Sequence, residues 1–209
     1  MKDKIFTIVD IETTGASAYA GRVIEIGVLR VEGGKVVQTF QSLVNPEQDI
    51  PEFITGMTGI TDAAVARAPR FEQIASEVFD LFSDATFVAH NAPFDYGFLK
   101  SEYRRLGVDF TFPRLCTVRL SRSVFPEHRH HNLAALIERY KFSFQNRHRA
   151  FDDAAVLWQF LQMLEKVLTE EDLHWHLGRA TSPVHVVPAD APVASFVYER
   201  DSQELEPEL

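Results

Sequence analysis

Ile5-Phe6-Thr7-Ile8-Val9-Asp10-Ile11-Glu12-Thr13-Thr14-Gly15 is the stretch from which the organisation of the whole chain is read. Its first six residues are nearly continuously apolar, the pattern of a central strand covered on both faces. Its end carries two carboxylates. Side chains two apart on a strand point to the same face, so Asp10 and Glu12 stand side by side where a buried strand ends. Two anions there repel and are costly to desolvate. Hard divalent cations, which take oxygen ligands, resolve that conflict; capping of turns or of the next helix is the structural alternative. Thr13, Thr14 and Gly15 add hydroxyls and close backbone approach for the end of a substrate.

Working outward, residues 23–31 and 36–44 are β-rich runs joined by Glu32-Gly33-Gly34-Lys35, which reads as a hairpin. Asn45-Pro46 closes this strand section. Phe71, Ile74, Ala75, Val78, Phe79, Leu81 and Phe82 recur at three- and four-residue spacing and predict an amphipathic helix. Residues 86–90 read as a short buried strand. Residues 94–106 read as a helix with Pro93 suited to its first turn, 115–118 as one more short strand, and 134–140 and 150–168 as further helices. That order predicts a mixed α/β sandwich whose first three strands are antiparallel neighbours. Composition shifts near Thr181, so residues 1–180 are expected to form the folded domain and 181–209 an extension, acidic at its end.

The formal net charge of −9 is unevenly placed. Residues 181–209 carry six acids against Arg200, a net of −5, which leaves −4 for the rest of the chain. Residues 100–149 hold eleven Lys and Arg against four Asp and Glu. Local potential rather than net charge steers a polyanion to a cleft, although a solvated basic face accounts for the same numbers. No window approaches the roughly 18 uninterrupted apolar residues that span a bilayer. Met1 to Lys4 run straight into the first strand, so no signal peptide is expected. The single Cys116 excludes an internal disulfide and a cysteine-rich zinc site. A cytoplasmic setting without membrane attachment is expected.

Two further segments carry chemistry. His90-Asn91-Ala92-Pro93-Phe94-Asp95 lies where a buried strand gives way to a helix, and Asp95 falls in that helix's first turn. Stabilisation by the helix dipole explains Asp95 as readily as metal binding does, and His90, Phe94 and Phe98 read as packing residues. His148-Arg149-Ala150-Phe151-Asp152-Asp153-Ala154 opens the last long helical pattern, with His148 five residues before Asp153. A surface histidine beside a capped helix is the alternative, and Asp152 is a neighbouring decoy. Arg147 and Arg149 flank the histidine as phosphate contacts or as solvated loop residues.

Taken together, acid-x-acid on a first strand, an aspartate after a later strand and His-x-x-x-x-Asp before a C-terminal helix resemble the DEDDh 3′–5′ exonuclease family. The epsilon proofreading subunit of bacterial replicative polymerase typifies it. The resemblance covers roughly residues 4–168 and extends to Met57-Thr58-Gly59-Ile60-Thr61 and His131-Asn132-Leu133-Ala134-Ala135-Leu136. It implies a ribonuclease-H-like α/β fold with a central mixed five-stranded sheet flanked by helices. It also implies two divalent cations, Mg²⁺ or Mn²⁺, with Asp10 bridging both, Glu12 and Asp153 completing the first site, and Asp95 supporting the second. His148 matches the general base; the tyrosine version of the family has a different spacing, Tyr-x-x-x-Asp. By the same similarity Thr13 and Thr14 line the pocket for the terminal nucleotide, Met57 is an apolar wedge, and Asn91 is a further substrate contact. The expected partner is a nucleic acid with a free 3′ end, single-stranded for preference. DNA in proofreading or repair is the first expectation. RNA processing and a catalytically silent binding module are the alternatives, and residues 181–209 are a candidate surface for a polymerase or repair partner.

Overall fold

Three antiparallel strands, a parallel pair and a short closing strand make one six-stranded sheet in the computed structural model of the chain, which describes residues 1, 3–146 and 148–184. The order across the sheet is β3-β2-β1-β4-β5-β6. Strands β1 (Ile5–Thr13), β2 (Val23–Glu32) and β3 (Lys35–Leu43) pair antiparallel, as expected. The β2–β3 connection turns through Gly33 and Gly34 at φ +58° and +76°, which glycine enters without Cβ strain. Strand β4 (Thr86–Ala89) lies parallel to β1, and β5 (Arg114–Cys116) parallel to β4.

Alternation along the strands sorts the core into two layers. Val9 and Ile11 of β1 pack with Phe87 of β4 against α3 (Phe71–Asp80) and α4 (Ala92–Arg105). Phe6 and Ile8 pack with Leu29, Val31 and Val88 against α7 (Ala150–Val167), α6 (Leu133–Tyr140) and α8 (Glu170–Ala180). Asp10 and Glu12 continue the Phe6–Ile8 row, so they emerge on the α7 side of the sheet. Across the strand pair they stand opposite Gly27 and Glu25.

Helix α4 is anchored near its C-terminal end. Tyr103 is stacked on Phe110 with ring centroids 4.7 Å apart, and its hydroxyl donates to the carbonyl of Ala75 at 2.8 Å. Glu102, buried, accepts from Arg22 Nε at 2.9 Å and from the Val23 amide at 3.2 Å, tying the helix to the start of β2. These contacts hold the C-terminal end of α4; Asp95 lies in its first turn.

The structure departs from the sequence reading in its shorter elements. A sixth strand, β6 (Thr181–Ser182), pairs antiparallel with β5, where five strands were expected. Two residues carry no period to read, and these two fall in the stretch assigned to the extension. The short strand expected at 115–118 ends at Cys116, and Val118 belongs to α5 (Thr117–Val124). Helices α1 (Glu52–Thr58), α2 (Asp62–Val65) and α8 were not foreseen. Helix α8 buries Leu173, Leu177 and Ala180, a stripe too thin to stand out in sequence. The acidic stretch of the extension lies outside the described residues. No described helix is long and apolar enough to cross a membrane.

Candidate active site

Parallel pairing of β1 and β4 brings their C-terminal ends to the same edge of the sheet, the edge at which open α/β sheets bind ligands. Asp10 and Glu12, both half-buried, occupy the end of β1. Helix α4 begins directly after β4, so its first turn delivers Asp95 to the same edge from the opposite layer. Asp95 is 3% exposed. Burial holds its carboxyl well above the ordinary carboxylate range; hydrogen bonds from its own backbone and that of Ile11 pull the other way, and the charge of Glu12 pushes it further up. Both the Ile11 contact and the Glu12 charge place Asp95 against the end of β1. A first-turn acid at a helix N-terminus is stabilised by the dipole, but this one faces inward.

Helix α7 supplies the third group. Asp153 is 5% exposed, whereas Asp152 turns outward and accepts from the Asn146 amide at 3.0 Å. Ligand atoms of Glu12, His148 and Asp153 all lie within 4.8 Å of one another. His148 precedes the helix at φ +58°, a left-handed conformation uncommon for a residue with a Cβ. Asp10 and Asp95 fall outside that triad. Carboxylate oxygens from three elements and one imidazole, gathered at a strand end, are a donor set that suits Mg²⁺ or Mn²⁺.

The remaining residues singled out in sequence take varied positions. Thr13 Oγ1 donates to the carbonyl of Gly15 at 2.8 Å, and Thr14 Oγ1 accepts from the Arg22 amide at 3.0 Å and from Gln48 Nε2 at 2.6 Å. Their hydroxyls thus hold the loop after β1 in shape. Met57 is 50% exposed on α1, so core packing does not account for it. Asn91 is exposed and left-handed, at φ +62°, at the start of α4. Phe98 is core, and His90 Nδ1 is hydrogen-bonded to Thr117 Oγ1 at 2.9 Å, as a packing role requires. Arg147 lies outside the described residues. The side chain of Arg149, 38% exposed, forks onto the buried carboxylate of Glu25.

Glu25 was passed over in the sequence. The signal that could have found it is a lone acid inside the apolar strand Val23-Ile24-Glu25-Ile26, where a charge is costly unless paired. A cavity of about 310 Å³ lined by Lys4, Phe6, Thr86 and Leu177 lies by the opposite ends of β1 and β4 and takes no part in the carboxylate cluster.

Comparison with known proteins gives the family. The sequence profile of the RNase_T family, described as exonuclease, matches residues 7–161. The chain is similar to DNA polymerase III PolC-type of Caldanaerobacter subterraneus subsp. tengcongensis, 37% identical over 163 residues that cover 78% of this chain and 12% of that protein. It is also similar to the 3′-5′ exonuclease DinG of Bacillus subtilis, 40% identical over 172 residues that cover 80% of this chain and 18% of that protein. The chain therefore spans less than a fifth of the length of these curated relatives. Among solved structures, exonuclease X in complex with 5′ overhanging duplex DNA superposes with a TM-score of 0.63 at 27% identity, covering 83% of this chain and 99% of that one. The ribonuclease-H-like α/β architecture expected from the sequence is the one these exonuclease structures share.

Proposed function

Since the chain belongs to the RNase_T exonucleases and to their DEDDh type, we propose that it hydrolyses the 3′-terminal phosphodiester of a nucleic acid, releasing one nucleoside 5′-monophosphate at a time. The observation that carries this reading is the convergence of Glu12, His148 and Asp153 within 4.8 Å at the end of β1, with Asp95 buried against Ile11. Asp10, Glu12, Asp95 and Asp153 would hold two divalent cations. Such ions, when bound, stabilise charge on the phosphoryl and leaving oxygens and lower the pKa of water from about 15.7 toward neutrality.

The chain's own residues do the rest. His148 accepts the proton of the attacking water, a task that suits an imidazole because its unperturbed pKa of about 6.5 lies near working pH. The phosphorus–O3′ bond breaks as the new phosphorus–oxygen bond forms, and the shortened strand leaves with a 3′-hydroxyl. Thr13 and Thr14 line the pocket for the terminal nucleotide, with Asn91 and Met57 at its rim. DNA is the substrate we favour. The relatives that share this segment are a polymerase III and DinG, and the exonuclease X structure holds a DNA duplex. Replication proofreading or repair, in the cytoplasm, is the setting that goes with it. Residues 181–209 are proposed as the extension through which a polymerase or repair protein is met.

The test is degradation of 5′-labelled single-stranded DNA and RNA of matched sequence, with Mg²⁺, with Mn²⁺ and with chelator. A metal-dependent ladder shortening from the 3′ end, faster on DNA, is expected. A faster ladder on RNA would move the protein to RNA processing. No cleavage of either strand by metal-loaded protein would sink the activity.

A further inference from the structure

Glu25 sits in β2 directly opposite Glu12, on the side of the sheet that faces α7, and is 0% exposed. Like charges directly opposite each other on neighbouring strands are destabilising, and a buried ion pair is seldom retained for its stability alone, because an apolar pair of the same volume packs as well. What this carboxylate touches accounts for it. Its Oε1 accepts from Arg149 Nε at 2.9 Å and Nη2 at 2.6 Å; its Oε2 accepts from the same Nε at 3.2 Å and from the backbone amide of Ala150 at 3.0 Å. Ala150 is the first residue of α7, and the residue before it offers that helix no side-chain cap. A helix start has amide donors without partners of their own, and here a neighbouring strand satisfies one.

Two residues along β2, Gly27 completes the cradle. A Cβ at that position would lie 2.3 Å from the Phe151 nitrogen and 2.5 Å from the Ala150 carbonyl carbon. The first turn of α7 therefore rests flush on the β2 backbone, at a distance only glycine allows. The three residues gripped in this way, Arg149 to Phe151, lie between His148 and Asp153.

We infer that Glu25 is a positioning residue: through Arg149 and the Ala150 amide, over the space left by Gly27, it sets the reach of His148 and Asp153 toward Glu12. The inference rests on the reading of His148 as general base and Asp153 as ligand. A carboxylate is required because only its two oxygens can take the guanidinium fork and the amide together. A neutral amide in its place accepts through one atom and sets its NH₂ group against the other donors. Displacements of about 1 Å in a catalytic group cost on the order of a hundredfold in rate.

The experiment compares wild type, E25Q, R149K, H148A and the E25Q/H148A double variant on labelled single-stranded DNA, with amide hydrogen exchange over 150–153 and melting temperature measured for each. E25Q should lose kcat by about 10²-fold at nearly unchanged KM, and its 150–153 amides should exchange faster. R149K, which keeps both charges and guards against a misfolded E25Q, should fall between it and wild type. The double variant should lose less than the product of the two single losses, since part of the E25Q effect runs through His148 and groups acting as a unit are non-additive. Wild-type kcat in E25Q, or losses that multiply in the double variant, would overturn the positioning role. An inactive wild type would overturn the function itself and this inference with it.

Discussion

At the scale of single residues, the site divides into groups proposed to hold cations and one proposed to move a proton, and the two kinds respond differently to substitution. Asp10→Ala and Asp153→Ala should abolish turnover while the fold persists, because losing one anion relieves repulsion in the metal-free cluster. His148→Ala should lower kcat by about 10²–10⁴-fold, the usual contribution of a general base, and leave Mn²⁺ affinity close to wild type. Calorimetric Mn²⁺ titration of the three variants separates the roles; lost affinity in His148→Ala would make it a ligand. Asp95→Asn supplies a readout without activity. It replaces a desolvated acid beside Glu12 with a neutral amide, so in chelator it should melt a few degrees above wild type, about 1 kcal/mol in a domain of this size. Added Mg²⁺ or Mn²⁺ should stabilise wild type by mass action and the variant far less. Equal stabilisation of both would remove Asp95 from the ligand set.

At the scale of elements, the helices on the α7 side of the sheet are joined by a polar contact that titrates. His131 is buried between α5 and α6; its Nδ1 is hydrogen-bonded to Ser121 Oγ at 2.8 Å and its Nε2 to the carbonyl of His128 at 2.9 Å. Burial pulls its pKa below the ordinary histidine value, the bond to the His128 carbonyl opposes this, and the charges of Arg122, Arg139 and His128 add to the lowering. Its folded pKa is depressed, so the unfolded chain takes up the proton first. Its contribution to stability is full above the unfolded value of about 6.5 and is lost as pH falls through that value toward the folded one. His131→Gln should flatten this part of the acid limb in melting temperature against pH; an unchanged limb would show that another group sets it. Strands β1 to β3, the hairpin between β2 and β3, and helices α3, α4 and α7 were legible in sequence because each repeats a period over eight residues or more, or ends in a turn with its own chemistry. Helices α1, α2, α5 and α8 were not. Their apolar faces are one or two turns long, and tertiary contact rather than periodicity holds them.

At the scale of the molecule, the acidic total charge hides a basic stretch. Of the four acids in residues 100–149, Glu102 is already taken by Arg22 at 2.9 Å and Arg105 at 3.3 Å. Binding of an inactive Asp10→Ala variant to a labelled single strand should therefore weaken with salt. For three to five phosphate contacts the slope of log K against log salt should be about −2 to −3.5. A slope near zero in a fluorescence titration would mean that this surface is only a solvated face.

The sequence by itself determined the central strand, the antiparallel neighbours beside it and the identity of Asp10, Glu12, Asp95, His148 and Asp153 as candidates, because strand period, turn chemistry and motif spacing are local properties. Only the tertiary structure decided that Asp153 faces inward and Asp152 outward, that Met57 is exposed, and that Arg149 pairs with Glu25. Glu25 and Arg149 lie 124 residues apart, and no local pattern encodes a contact of that span. It exists because β2 carries a carboxylate and a glycine on one face, and α7 can approach that face closely enough to use both.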